Sequence, residues 1–279
     1  MFDLDRWQEI FETIRKNKLR TFLTSISVAS GIFILVVLLG FGQGMQNGIQ
    51  KEFEADATNR IWVWTQVTTK EFKGLNPGRS IQLRNEDYNN LSSLYNEEIE
   101  YKSDLYRVFG VTINYKEEVV SYGINGISPN YQQIENQKIV LGRYINYADL
   151  ETKNKVVVIS NKIKNELLKD VENPLEEYLQ LSGINFKIVG VYMDEGGERE
   201  EDRVFIPIST AQSIFNGSNR IANLAFTIKL EKDFETSLAV SKQFTEEIKQ
   251  YLKQVHTVAP DDNAINAFNT MEEAKRYYT

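Results

Sequence analysis

The stretch "KNKLRTFLTSISVASGIFILVVLLGFGQGMQNG", Lys16 to Gly48, decides how the whole chain must be read. Between Thr21 and Gln50 no side chain is charged, and the centre, Ile26 to Phe41, is rich in Ile, Val, Leu and Phe. A helix needs about 20 apolar residues to cross a bilayer core. Arg15, Lys16, Lys18 and Arg20 crowd the N-terminal flank, while the nearest positive charge beyond the run is Lys51. The positive-inside rule then puts the N-terminus in the cytoplasm and everything after about residue 45 outside.

Three readings of that run compete. A cleaved signal peptide has an apolar region of about 7–15 residues and a small-x-small cleavage site. This run is longer, and no A-x-A pattern precedes Gln43. A plain anchor is the second reading. Against it stand Gly40, Gly44 and Gly48, four apart, with Ser27 and Gly31 at the same spacing; small residues so arranged let helix backbones approach closely in lipid. The third reading is therefore a membrane helix that packs on partner helices. With no Asp, Glu, Lys, Arg or His inside the run, an ion path or proton relay along it is disfavoured.

Ahead of the run, "MFDLDRWQEIFETIRKNK" carries Phe2, Leu4, Trp7, Ile10, Phe11 and Ile14 at helical spacing, with charges on much of the other face. It predicts an amphipathic helix over 1–18 on the cytoplasmic bilayer surface, with Trp7 suited to the interface; a helix packed on a soluble partner is the alternative.

Composition sets the outer limits. The chain has 279 residues, 42% hydrophobic and 25% charged, with a formal charge of −7. Its mean hydropathy of −0.39 argues against a polytopic membrane protein over this length, and its pI of about 5.1 disfavours non-specific nucleic-acid binding. No cysteine is present, which removes disulfides, thiolate metal sites and Cys nucleophiles. One histidine, His256, leaves no histidine-rich metal site.

After the membrane run the pattern is mixed α and β. "RIWVWTQV", "NKVVVIS" and "NLAFTIKL" have strand composition, and "NEDYNNLSSLYNE" has helical spacing. "SDLYRVFGVTINY" and "EEVVSYGINGIS" suit a hairpin, and Ser182-Gly183 marks the turn of another within "NPLEEYLQLSGINFKIVGVYMD". "SPNYQQIEN" opens with a Ser-Pro helix-entry signal. Asn161 is the expected cap of "NKIKNELLKD", and Ser209-Thr210 of the helix after "RVFIPI". Leu238, Phe244, Ile248, Tyr251 and Leu252 recur as one helix face, and "AFNTMEEAKRYYT" reads as a final helix.

No chemistry-bearing constellation emerges, so no catalytic, cofactor-binding or metal residue is assigned. "GFGQG" and "EGGER" lack the Lys-Ser/Thr of a P-loop. Glu195, Glu198, Glu200, Glu201 and Asp202, in the acidic loop 194–202, do not have the spacing of a calcium loop and read as a solvated segment. His256 has no evident acid or nucleophile partner in the sequence and reads as a helix-end residue. Trp62 and Trp64, two apart on a strand, read as core or interface residues.

The order of these motifs resembles the macrolide-exporter (MacB-like) family of ABC transporter permeases. Arg15, Leu19, Arg20, Thr21, Leu23 and Thr24 occupy the places of that family's "R-x-x-L-R-T-x-L-T" entry into its first membrane helix. "IVLGRYINYADL" is similar to its "G-R-x-[FI]" stretch followed by an Asp. "KVVVISNKIKNELL", "NPLEEYLQLSGINFKIVGVY" and "VFIPISTAQSIF" follow in the family's order, so the resemblance covers nearly the whole chain.

The resemblance implies an α+β protein: a cytoplasmic helix over 1–18, a first transmembrane helix over 19–45, and a two-lobed periplasmic domain over 46–279 with a smaller inserted lobe at roughly 128–218. It implies three further membrane helices, a homodimer or heterodimer of permeases, and a cytoplasmic ABC ATPase that binds ATP and Mg. A periplasmic adaptor, an outer-membrane duct and membrane lipid are further implied partners. Here the chain stops at Thr279, where a second membrane helix is expected, and has no ATPase ahead of it; the implied ATPase is then a separate subunit and the chain itself no enzyme. The implied role is to carry ATP-driven movement across the inner membrane to a periplasmic domain acting on a drug, peptide or lipoprotein. The competing reading is a single-pass sensor or binding protein.

Overall fold

The computed structural model describes residue 11 and residues 14–55, 59–194, 201–231 and 233–278, with side chains described outside 45–55 and 277–278. Most of the predicted amphipathic helix 1–18 and the centre of the acidic loop therefore lie outside the described residues. The chain divides into two compact units, 1–52 and 53–279.

In the first unit, helix α1 (Lys18–Ala55) is uninterrupted, and its stretch Lys18–Gly44 is long and apolar enough to cross a membrane.

The second unit is built on a 12-stranded sheet. In chain order its elements begin with β1 (Arg60–Thr65), β2 (Leu83–Arg84), α2 (Asn85–Leu94), β3 (Ile99–Val108), β4 (Ile113–Tyr115), β5 (Glu118–Val120) and β6 (Gly123–Ile127). There follow α3 (Tyr131–Ile134), β7 (Lys138–Gly142), α4 (Tyr147–Glu151), β8 (Val156–Ser160) and α5 (Asn161–Leu167). A 3-10 turn (Pro174–Glu176) leads to β9 (Tyr178–Leu181), β10 (Ile184–Met193), β11 (Arg203–Pro207) and α6 (Ile208–Ile214). The last elements are β12 (Arg220–Ile221), β13 (Asn223–Ile228), α7 (Phe234–Val255), β14 (Ile265–Asn269) and α8 (Thr270–Tyr278).

The strand order is β14-β1-β13-β3-β6-β11-β8-β10-β9-β4-β5, with β7 added on β10 and a separate β12–β2 pair. Strands from the two ends of the chain make one end of the sheet; strands from its middle make the other. One hydrophobic cluster includes Ile61, Leu224, Phe226, Phe244 and Ile248, and a second includes Val157, Ile159, Leu179, Phe186 and Ile206. A third, with Tyr131, Tyr144, Tyr192 and Phe205, draws Trp62 against it.

Local signals mostly act as read. In the β9–β10 hairpin Ser182 and Gly183 both have positive φ, 49° and 76°, as a two-residue turn matching strand twist requires. The two β-rich runs pair antiparallel as expected: β3 with β6, then β4 with β5. On α7, Leu238, Phe244, Ile248 and Leu252 are buried; Phe244 meets Tyr95 and Phe226 edge-on with ring centroids 5.3 and 5.9 Å apart. Each such side chain removed from water contributes about 1.5–3 kcal/mol.

Three local expectations are corrected. The run "AFN" is not helical but the end of β14, which pairs antiparallel with β1 from Ile61↔Asn269 to Thr65↔Ile265. The ladder fills one side of β1, a partner that local spacing cannot reveal. The helix begins only at Thr270, where the Asn269 side chain accepts from the Met271 amide at 3.0 Å. Second, the cap of α5 is Ser160, whose Oγ accepts from the Ile163 amide at 3.1 Å, one residue before the expected Asn161. Third, α6 starts at Ile208 directly after Pro207, so Ser209 and Thr210 are already inside it. Their hydroxyls instead donate to the Leu150 and Asn154 carbonyls at 2.7 and 3.0 Å.

Candidate membrane span and the clamp that follows it

At about 1.5 Å per residue, the 27 residues of Lys18–Gly44 extend ~40 Å, enough to cross a hydrocarbon core of about 30 Å. Phe22, Leu35, Leu38 and Phe41 are exposed along it. Three of its hydroxyls bond back to carbonyls of the helix itself, as apolar surroundings favour. Thr24 donates to the Arg20 and Thr21 carbonyls at 3.0 Å, Ser27 to Leu23 at 2.9 Å and Ser30 to Ser27 at 3.0 Å. Among the described residues of the helix, an added Cβ at Gly31, Gly40 or Gly44 meets no side chain within 4 Å.

The second unit opens with a tight junction. The Asn59 side chain donates to the Ile228 carbonyl at 2.6 Å. The Arg60 amide donates to Thr270 Oγ1 at 2.9 Å, and the Thr270 hydroxyl donates back to the Arg60 carbonyl at 2.9 Å. The first strand is thereby fastened to the start of the last helix. The Arg60 guanidinium reaches elsewhere, to Glu135 just after α3, with Nη1 2.6 Å from Oε2. Both side chains are about nine-tenths buried, at 10% and 12% exposure. Two residues further along the same face of β1, Trp62 meets Tyr131 edge-on at 5.9 Å. Trp62, expected as a core or interface residue, is half-buried and packs against the aromatic cluster.

In the "G-R-x-[FI]" stretch an ion pair braces the start of α4. Arg143 holds Asp149 through two hydrogen bonds, 2.6 and 3.0 Å. Burial pushes the Asp149 carboxyl up, but Arg143, the Asn146 amide and Asn154 outweigh it and hold the carboxyl below its usual range. Asp104 on β3 is the opposite case. Burial lifts it from 3.8 to about 6, against the hydrogen bond donated by Ser128.

His256 caps the C-terminus of α7, the helix-end position expected. The expectation that it has no acid partner is corrected: Nε2 lies 3.1 Å from both Asp87 carboxylate oxygens. Asp87 is far away in sequence, and no local motif announces it. Glu201 and Asp202 of the acidic loop face protein groups: Glu201 accepts from the Lys162 amide at 3.0 Å, and Asp202 pairs with the Lys162 ammonium at 2.6 Å. Glu195, Glu198 and Glu200 lie outside the described residues. Among the described residues no group of three or more His, Cys, Asp or Glu side chains is arranged to hold a metal ion.

An uncharged span followed by this sheet is the arrangement of a known family: the profile of the MacB-like periplasmic core domain matches residues 21–251. The chain belongs to that family. The pyoverdine export ATP-binding/permease protein PvdT of Pseudomonas fluorescens is 26% identical over 276 residues, covering 94% of this chain and 38% of that protein. The macrolide export ATP-binding/permease protein MacB of Hyphomonas neptunium is 23% identical, covering 78% of this chain and 34% of that one. This MacB-like chain therefore spans well under half the length of these relatives. The periplasmic region of MacB from Actinobacillus actinomycetemcomitans superposes with a TM-score of 0.61 at 20% identity, covering 81% of this chain and 96% of that one. The extracellular domain of the noncanonic ABC-type transporter YknZ gives 0.60 at 19% identity, covering 76% of this chain and all of that one. These two likenesses concern the fold. The MacB-like core domain and its apolar N-terminal helix identify a membrane-associated chain with an extracytoplasmic domain.

Proposed function

We propose that this chain is the N-terminal part of an ABC transporter permease that carries ATP-driven movement across the inner membrane to its extracytoplasmic domain. The observation that carries the reading is the family match, which begins inside the uncharged span and continues through the sheet domain. A helix without intramembrane charge offers no polar path for cargo. It can still transmit displacement, because α1 continues past Gly44 to Ala55 without a break.

In this reading Lys16, Lys18 and Arg20 lie on the cytoplasmic side and residues 53–279 outside. The middle of the chain, roughly 128–218, forms the smaller lobe. ATP and Mg bind an ATPase outside these residues, two permeases pair as a homodimer or heterodimer, and an adaptor and outer-membrane duct complete the path. The cargo class is a drug, peptide or lipoprotein. The names of the relatives, which export pyoverdine or macrolides, support export.

Residues 1–279 contain no cysteine, so single cysteines placed among them can report the topology, with the unaltered full-length protein as the labelling control. Lys16→Cys and Val119→Cys are introduced separately into the full-length protein, and intact spheroplasts are treated with a membrane-impermeant maleimide. Val119→Cys should label at once and Lys16→Cys only after lysis. Labelling of Lys16→Cys from outside would overturn the orientation. Failure of any ATPase to co-purify in mild detergent would favour a single-pass sensor instead.

A further inference from the structure

Arg60 and Trp62 are two residues apart on β1 and so project from one face of the strand. Tyr131 and Glu135 are four apart and so lie on one face of the α3 turn. The two pairs meet in register: Arg60 with Glu135 at 2.6 Å, Trp62 with Tyr131 at 5.9 Å. The same Arg60 backbone is held on its other side by Thr270.

What these contacts join matters more than their number. β1 is the first strand after α1 in the chain. Tyr131 packs on Phe205 at 5.2 Å, and Phe205 on Tyr192 at 5.0 Å, so its ring belongs to the cluster under β11 and β10. In the sheet, β1 is separated from β11 by β13, β3 and β6. The Arg60–Glu135 and Trp62–Tyr131 contacts reach across the face of those three strands through α3, which packs on β3 and β13. A twisted sheet flexes across its hydrogen-bonded ladder; a buried ion pair beside an aromatic contact adds a second tie between β1 and the cluster under β11.

We propose that Arg60, Trp62, Tyr131 and Glu135 form a strut that passes displacement of β1 directly to the far half of the sheet. Arg60 and Glu135 are positioning residues here: they touch no cargo and act by holding two parts of the domain in step. The inference rests on the permease reading above, and its test separates the two.

The test uses the full-length transporter with its ATPase in nanodiscs. Val119→Cys, on the edge strand β5 farthest from β14, is spin-labelled, and the distance between labels on paired chains is measured without nucleotide and with ATP plus vanadate. The otherwise unaltered chain should show a nucleotide-dependent change. Glu135→Gln should reduce that change by about half or more while ATP turnover stays within about twofold, because the tie and not the motor is cut. A lone buried charge destabilises a fold, so Arg60→Met with Glu135→Met removes the pair without leaving one, and carries the test if Glu135→Gln fails to fold. A purely structural role would lower the melting temperature and leave the distance change intact. A full-sized change in the folded double variant overturns the strut and leaves the permease reading standing. No change in the chain bearing Val119→Cys alone overturns both.

Discussion

Thr270 holds both main-chain polar groups of Arg60: its Oγ accepts from the Arg60 amide and its hydroxyl donates to the Arg60 carbonyl, each at 2.9 Å. One hydroxyl thus ties the first strand of the domain to its last helix, 210 residues later in the chain.

Thr270→Val keeps the shape and removes the hydroxyl, leaving a buried amide and carbonyl without that partner. At about 1–3 kcal/mol per unsatisfied group, the domain should lose about 2–4 kcal/mol. Urea unfolding followed by tryptophan fluorescence measures it. Thr270→Ser, which keeps the hydroxyl, should lose less than half as much.

Asp104 makes stability depend on pH in an unusual direction for a carboxylate. Burial raises its folded value to about 6 from 3.8, so between these values the folded state holds more protons than the unfolded one. Stability therefore falls as pH rises from about 4 to about 6, by a total on the order of 3 kcal/mol, and the cost stays above that range. Asp104→Asn keeps an acceptor for Ser128 and should flatten the melting-temperature profile across this window. An unchanged slope would mean that another group causes it. Asp149, held low, acts with the opposite sign: its contribution is present above the unfolded value and is lost as pH falls through the folded one.

Gly190 sits where β10 passes against the Arg143 backbone. A Cβ there would lie 2.0 Å from the Arg143 carbonyl oxygen, and the obstacle is main chain that no rotamer change removes. Gly190→Ala should cost roughly 3 kcal/mol or more, in the range of severe overpacking, read by urea midpoint. Gly183→Asn, at an open turn with φ of 76°, should cost well under half of that.

Ile32 lies near the middle of the apolar span. Ile32→Arg should weaken membrane insertion by about 2.5–3.5 kcal/mol, seen as a soluble fraction after carbonate extraction. Arg20→Ala, at the flank, should leave insertion intact and loosen orientation only.

The reading of the span came from composition alone, because a bilayer sorts residues one by one according to whether they carry charge. The β9–β10 turn and the buried face of α7 were equally legible, since turn chemistry and helical period act over a few residues. The same locality explains the misreadings. "AFN" has no strand signature of its own and became β14 only because β1 offered an open edge. Asn161 has the right chemistry for a cap, but the chain turns one residue earlier, at Ser160.

Two of the domain's long-range contacts were invisible in the sequence. Arg60 and Glu135 are 75 residues apart, and His256 and Asp87 are 169 apart. Nothing in either neighbourhood marks them as partners. The sequence by itself determined a helix long and apolar enough to cross a membrane, an α+β domain behind it and the family to which both belong, because hydropathy, period and motif order are local properties. Only the tertiary structure decided which charges are buried, which strand lies at the edge and which side chains tie β1 to α3. Those outcomes depend on which distant segments the folded backbone brings within hydrogen-bonding distance.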